Sequence, residues 1–334
     1  MKVSNVMLRH IKITAKVVVS GIISLCILSG FVFFYFNHGV HITNASGATD
    51  YKWEPNQVKN TMTEGHAFLK MDCNGFNNEN GNTGDVDILL IGSSQMEAFN
   101  VPQGNNTASV LNSELSMFTY NIGISGHTIY HCIRNLDSAV TEYKPQHFVV
   151  LVTDDIWLDP YMMQQVMEGN FDKIPSYDSG MLYTIQKRFP VIKTLYKKIT
   201  EWKDAEIVQN TSQKSIIDDH YLETLSGFLT IAESVCNENN VSLIIVYQPR
   251  TKLNRFGQYL SDTDSEAISV FKNICSAKNI TFLDMTESFE SLYNEQHILA
   301  HGFANTAVGY GHLNKYGHAI IAEELAKVIQ GVEE

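Results

Sequence analysis

Asp85 to Asn100, DVDILLIGSSQMEAFN, is the stretch that most constrains the fold. Val86 and Ile88 to Ile91 form an apolar run that stops abruptly at Gly92-Ser93-Ser94. A short apolar run closed by a glycine turn reads as a strand buried on both faces, the habit of parallel sheets. Where such a strand turns into a helix, a hydroxyl can sit at the C-terminal edge of the sheet. The first helical N–H groups then point at whatever that hydroxyl meets. Ser94 is therefore the candidate nucleophile, and the rest of the chain must supply its partners.

The pattern after this stretch alternates. Strands are expected at 117–122, 147–153, 241–247 and 280–284, and helices near 107–116, 128–142, 220–239, 264–278 and 315–330. Strands alternating with helical patterns predict an α/β fold, with a parallel sheet of about five strands and helices on both faces. That domain spans 85–330. Residues 37–84 are polar and rich in Asn, Gly and Thr, and read as a juxtamembrane segment with one helix near 56–70. Residues 156–219 break the alternation with an aromatic, Met-rich and locally basic stretch. This helical insertion leaves the sheet directly after Asp155, at the edge where Ser94 emerges. It is placed to act as a lid or docking element, or to cover an exposed core face.

Val17 to Phe36 is twenty residues without a charge. About 20 apolar residues cross a bilayer core as a helix. Lys2, Arg9, Lys12 and Lys16 precede the run, and no Lys or Arg follows until Lys52. The positive-inside bias puts residues 1–16 in the cytoplasm, 17–36 in the membrane and the rest outside. A cleaved signal peptide is the alternative, but its apolar core usually runs only about 7–15 residues. The formal net charge of −12 argues against nucleic acid as a partner. The five cysteines are irregularly spaced without a CxxC, which disfavours zinc; those outside the span read as buried thiols or as two bridges. His127, His131 and His297 have no ligand spacing, so neither metal nor cofactor is expected.

Four blocks fall at strand ends or just before the last helix: GSSQ at 92–95, NIGISGHT at 121–128, TDD at 153–155 and GHLNKYGH at 311–318. In an open α/β sheet the loops at that edge share one crevice. Topology thus gathers a serine, glycine N–H groups, acids and a histidine. These are the parts of acyl transfer: a hydroxyl that attacks, an imidazole that takes its proton, and N–H groups that hold the oxyanion. Each block alone is also an ordinary turn or helix cap. His318, on the last helix, reads as structural.

These blocks resemble those of the SGNH (GDSL-like) hydrolase superfamily over roughly 85–330, the 156–219 insertion excepted. The resemblance implies a three-layer, flavodoxin-like sheet. It makes Ser94 the nucleophile, Gly126 the oxyanion glycine (with the N–H of Ser94 itself) and His312 the base. Two positions depart from the family pattern. Asp154 stands where the family has an oxyanion asparagine, and an ionised carboxylate cannot donate a hydrogen bond. Gly309 stands where the family has the acid of Asp-x-x-His. His312 must then be oriented by a backbone carbonyl, leaving a dyad, or by Asp154 or Asp155.

An outward-facing domain of this kind on one N-terminal helix is similar to bacterial proteins that modify cell-surface polymers, such as the D-alanyl transfer protein and the alginate O-acetylation proteins. That similarity implies a bacterial cell-membrane protein acting on an acyl ester or polysaccharide, beside a multi-pass membrane O-acyltransferase. Ser94 would accept an acyl group, acetyl by that analogy, and pass it to a sugar hydroxyl or to water. The competing expectation is a non-catalytic SGNH-like protein that only binds glycan or an envelope partner.

Overall fold

A computed structural model of the chain describes residues 2–35, 41–62, 64–81, 84–115, 117–153, 219–261 and 265–331. Asp154, Asp155 and residues 156–218 of the expected insertion lie outside the described residues. The N-terminal helix and the α/β body that begins at Gly39 belong to separate compact units.

Helix α1 runs from Lys2 to Tyr35. Within it, the 23 residues Arg9–Phe31 hold an 18-residue window with a mean hydropathy of 2.0. At about 1.5 Å per residue, such a span exceeds the roughly 30 Å hydrocarbon core of a bilayer. Val17, Val18, Ile22, Ile23 and Phe31 are all exposed. By length and composition this helix can cross a membrane.

The body is built on β5 (Ile88–Gly92), β6 (Thr119–Asn121), β7 (His147–Val152), β8 (Ser242–Tyr247) and β9 (Thr281–Asp284). They form one parallel sheet in the order β9-β8-β7-β5-β6. Counted along the chain, the order is 2-1-3-4-5, the flavodoxin-like arrangement. Successive side chains of a strand point to opposite faces, and here each face has its own core. Leu89, Ile91, Phe148, Val150, Leu243 and Ile245 join one cluster. It is covered by α4 (Ile129–Arg134), α5 (Leu136–Tyr143), α6 (Asp219–Asn239) and α7 (Ser265–Ser276). Ile88, Leu90, Val149, Leu151, Ile244 and Val246 join the other. It is covered by α2 (Ser94–Glu97), α3 (Thr107–Glu114), α8 (Thr286–Gln296) and α9 (Lys315–Gln330). Two helix layers around one parallel sheet make a three-layer α/β fold with flavodoxin-like strand order. Full burial of each such aliphatic side chain contributes about 1.5–3 kcal/mol.

The segment before the sheet departs from expectation. In place of a helix near 56–70 there are short antiparallel pairs: β1 (His41–Thr43) with β2 (Tyr51–Trp53), and β3 (Val58–Thr61) with β4 (Ala67–Lys70). Ala67 and Leu69 are buried while Phe68 and Lys70 are exposed, which is a period of two and not of 3.6. Trp53, Leu69, Met71 and Phe76 enter the same core cluster as the sheet. This segment is thus part of the body.

The sheet order reverses at β5. One crossover leads outward to β6 and the next returns to β7 on the other side. In open α/β sheets, ligands bind beyond the carboxyl ends of the strands at such a reversal. Ser94 follows β5 and Thr153 follows β7 at that place.

Candidate active site

Ser94 is the first residue of α2. Ser93 caps this short helix, its hydroxyl accepting from the N–H of Gln95 at 3.4 Å. Gly92 fits a close approach, since a Cβ there would lie 3.0 Å from the Leu151 carbonyl and 3.1 Å from Met96 Cβ. The turn therefore leaves the strand tightly and presents the Ser94 hydroxyl beyond the sheet edge.

His312 arrives from the loop before α9. Its Nε2 lies 2.9 Å from Ser94 Oγ. Asn314 caps α9 by accepting from the N–H groups of Tyr316 at 2.9 Å and Gly317 at 3.2 Å. It also donates to the Leu299 carbonyl at 2.7 Å. Gln95 accepts from the N–H of Leu313 at 2.8 Å, so the residue after the serine holds the residue after the histidine.

Glu64, in the loop between β3 and β4, meets the other side of the His312 ring. Its Oε2 lies 2.7 Å from His312 Nδ1, and its Oε1 accepts from the backbone N–H of His312. A carboxylate only accepts, so Nδ1 carries the proton and Nε2 is left as the acceptor facing the serine hydroxyl. Partial burial pushes the Glu64 carboxyl up. The hydrogen bonds from the His312 ring and backbone and the nearby imidazole charges outweigh it, and the net position is below the ordinary 4.5. The ionised form, which orients His312, is therefore the favoured one.

The Glu64 loop is itself clamped. Asn100 donates to the Glu64 carbonyl at 2.9 Å. Asn305 accepts from the N–H of Gly65 at 2.9 Å and donates to the carbonyls of Met62 at 3.0 Å and Gly65 at 3.2 Å.

Gly126 sits at φ +88° in the loop after β6 and is exposed. The preceding residue is held from two sides. The Ser125 N–H donates to Glu97 Oε2 at 3.1 Å, its hydroxyl donates to the same oxygen, and its carbonyl accepts from Tyr51 Oη at 2.6 Å. The N–H of Ile124 donates to the Gly92 carbonyl at 2.9 Å, which ties this loop to the end of β5. Gly123 backs directly on the serine turn, where a Cβ would lie 2.8 Å from the Glu97 nitrogen. Burial pushes the Glu97 carboxyl up against the opposing pull of Lys59, Ser125 and Trp53.

Ser94, His312 and Glu64 line a cavity of about 510 Å³, together with Thr153, Gln248, Arg250, Thr251, His301 and Tyr310 among others. The structure thus brings Ser94 and His312 together as the sequence blocks suggested. Asp154 and Asp155 lie outside the described residues, and the place expected for them at the His312 ring is taken by Glu64. His318 is buried, its Nδ1 2.9 Å from Thr107 Oγ1. Nothing in the sequence singled out Glu64, which lies 248 residues from its histidine. The only cue was negative: Gly309 in place of an acid required some other residue to orient the ring.

No family model matches this chain, and no curated protein matches it. Solved structures similar to it include the esterase EstA from Pseudoalteromonas sp., at 15% identity and a TM-score of 0.40 over 74% of this chain and 98% of that one. Another is a G-D-S-L family lipolytic protein from Desulfitobacterium hafniense, at 14% identity and a TM-score of 0.41 over 73% and 99%. A third is a catalytic variant of the acetylxylan esterase Axe2 from Geobacillus stearothermophilus, at 15% identity and a TM-score of 0.41 over 76% and 98%. The site stands on the distances within this chain.

Proposed function

We propose that the chain is a membrane-anchored serine esterase or O-acyltransferase that works outside the bacterial cytoplasm on acyl esters of a polysaccharide. The Ser94–His312–Glu64 relay is the observation that carries this reading. Ser94 Oγ attacks the ester carbonyl as its proton passes to His312 Nε2. Glu64 holds the ring in the required tautomer and stabilises the imidazolium. The N–H groups of Ser94 and Gly126 receive the oxyanion. The intermediate collapses to an acyl-serine, and the proton on Nε2 leaves with the alcohol. In the second half His312 deprotonates a water, giving hydrolysis, or a sugar hydroxyl, giving transfer.

Three features support the setting. Helix α1 has the length and composition of a membrane span. Lys2, Arg9, Lys12 and Lys16 precede its uncharged stretch Val17 to Phe36, which by the positive-inside bias leaves the body outside. An N-terminal span also suits a partner that brings acyl groups across the membrane, for which a multi-pass O-acyltransferase is the candidate. The acid supplied by Glu64 weighs against a non-catalytic scaffold, since a binding protein has no use for an oriented Ser-His pair.

Full-length protein in detergent should hydrolyse 4-nitrophenyl acetate. Ser94→Ala and His312→Ala should each lower kcat by about 10⁴-fold or more. Activity retained by either folded variant would contradict the assignment.

A further inference from the structure

Gln248 is the residue directly after β8, and its N–H donates to the Val152 carbonyl at the end of β7 at 3.0 Å. It lines the Ser94 cavity and is 0% exposed. Among the described residues, neither its Nε2 nor its Oε1 has a hydrogen-bond partner. Buried amides are almost always paired, because leaving one unpaired destabilises the fold. An unpaired amide in the wall of a reaction cavity is the mark of a group kept for a ligand.

We infer that Gln248 is the specificity residue of this cavity, binding two neighbouring hydroxyls of a sugar beside the ester that Ser94 attacks; this rests on the esterase or acyltransferase reading above. A carboxamide presents a donor and an acceptor side by side. Two adjacent hydroxyls complement both, one accepting from Nε2 and one donating to Oε1. A carboxylate or phosphate would satisfy only the donor and set its charge against Oε1. An alkyl chain would satisfy neither. Beside the charged Arg250 and Glu64, the wall around Gln248 is largely uncharged and polar. Thr153, Thr251 and His301 are buried and polar, with Thr251 Oγ1 3.3 Å from His301 Nδ1. Burial drives the His301 imidazole down to about 4, so it stands uncharged at neutral pH. Tyr310, which also lines the cavity, is 75% exposed and offers an aromatic face to a sugar ring.

Gln248→Met keeps the size of the side chain and removes both polar atoms. Full-length protein in detergent would be assayed with 6-O-acetylglucose, 4-nitrophenyl acetate and the 4-nitrophenyl ester of N-acetylglycine. In Gln248→Met the ratio of kcat/KM for the sugar ester to that for 4-nitrophenyl acetate should fall at least about tenfold. Its Tm should rise by about 2–4 °C as the unpaired amide disappears. A structural role would move Tm the other way, so a lower Tm overturns the inference. An unchanged ratio does so too, as does a loss confined to the N-acetylglycyl ester, which would mark an amide-binding site. The Ser94→Ala control separates the two levels. Turnover that depends on Ser94 with no change in ratio removes the role of Gln248 alone. Turnover independent of Ser94, or none in the wild type, removes the reading beneath it.

Discussion

Gly311 is the residue that lets Glu64 reach His312. Its φ of +112° is open to glycine and strained for other residues. A Cβ there would run into the Glu64 carboxylate. Gly311→Ala should therefore push the acid off the imidazole and lower kcat/KM by about 10²-fold, the cost of a small misplacement in a relay. Steady-state kinetics on a folded variant would check this. Glu64→Gln removes the charge and keeps the shape, and should lower kcat by about 10²–10⁴-fold. The fold holds the Glu64 carboxyl below its ordinary value through His312. A depressed carboxyl contributes stability above its unfolded range, and that contribution is lost as pH falls through the folded value. The Tm advantage of wild type over Glu64→Gln should thus narrow as pH is lowered from about 6 to about 3. A widening gap would contradict the assigned contact.

At the scale of elements, three segments meet at the end of β5: the serine turn, the loop before α9 and the β3–β4 loop. Two were legible in the sequence. The apolar run ending at Gly92-Ser93 marks a buried strand and its turn, and the block before the last helix marks His312. The third was not, for physical reasons. Strands β3 and β4 are only four residues each, and Phe68 is exposed while its neighbours Ala67 and Leu69 are buried. An exposed aromatic between buried residues hides the alternation that identifies a strand. The acid itself sits in a turn, where no periodicity speaks. Its placement depends on Asn305, which brackets Glu64 through Met62 and Gly65. Asn305→Ala should release this loop and lower kcat by about tenfold while Ser94 and His312 stay in contact. Asn305→Ala turnover equal to wild type would show that the loop is held by Asn100 and packing alone.

The whole molecule couples a candidate membrane helix to a body whose sheet reverses its order beneath Ser94. The three-layer fold was readable because parallel strands buried on both faces are continuous apolar runs, and helix periods separate them. Both faces carry the structure, so emptying either should cost alike. Leu89→Ala on one face and Ile244→Ala on the other leave cavities in packed clusters. Each should lower stability by about 2–5 kcal/mol in urea unfolding. Anchoring is tested by fractionation. The full chain should follow the membranes, and deletion of residues 2–35 should release the body to the soluble fraction, as the exposed apolar surface of α1 requires. The proposed reading makes Ser94 a nucleophile activated by His312 and Glu64. It is tested most directly by reacting the full-length protein with a fluorophosphonate and mapping the adduct by mass spectrometry. One adduct is expected, on Ser94, absent in Ser94→Ala and formed at least about 10³-fold more slowly in His312→Ala. An adduct on another residue, or labelling of Ser94 that ignores the loss of His312, would contradict it.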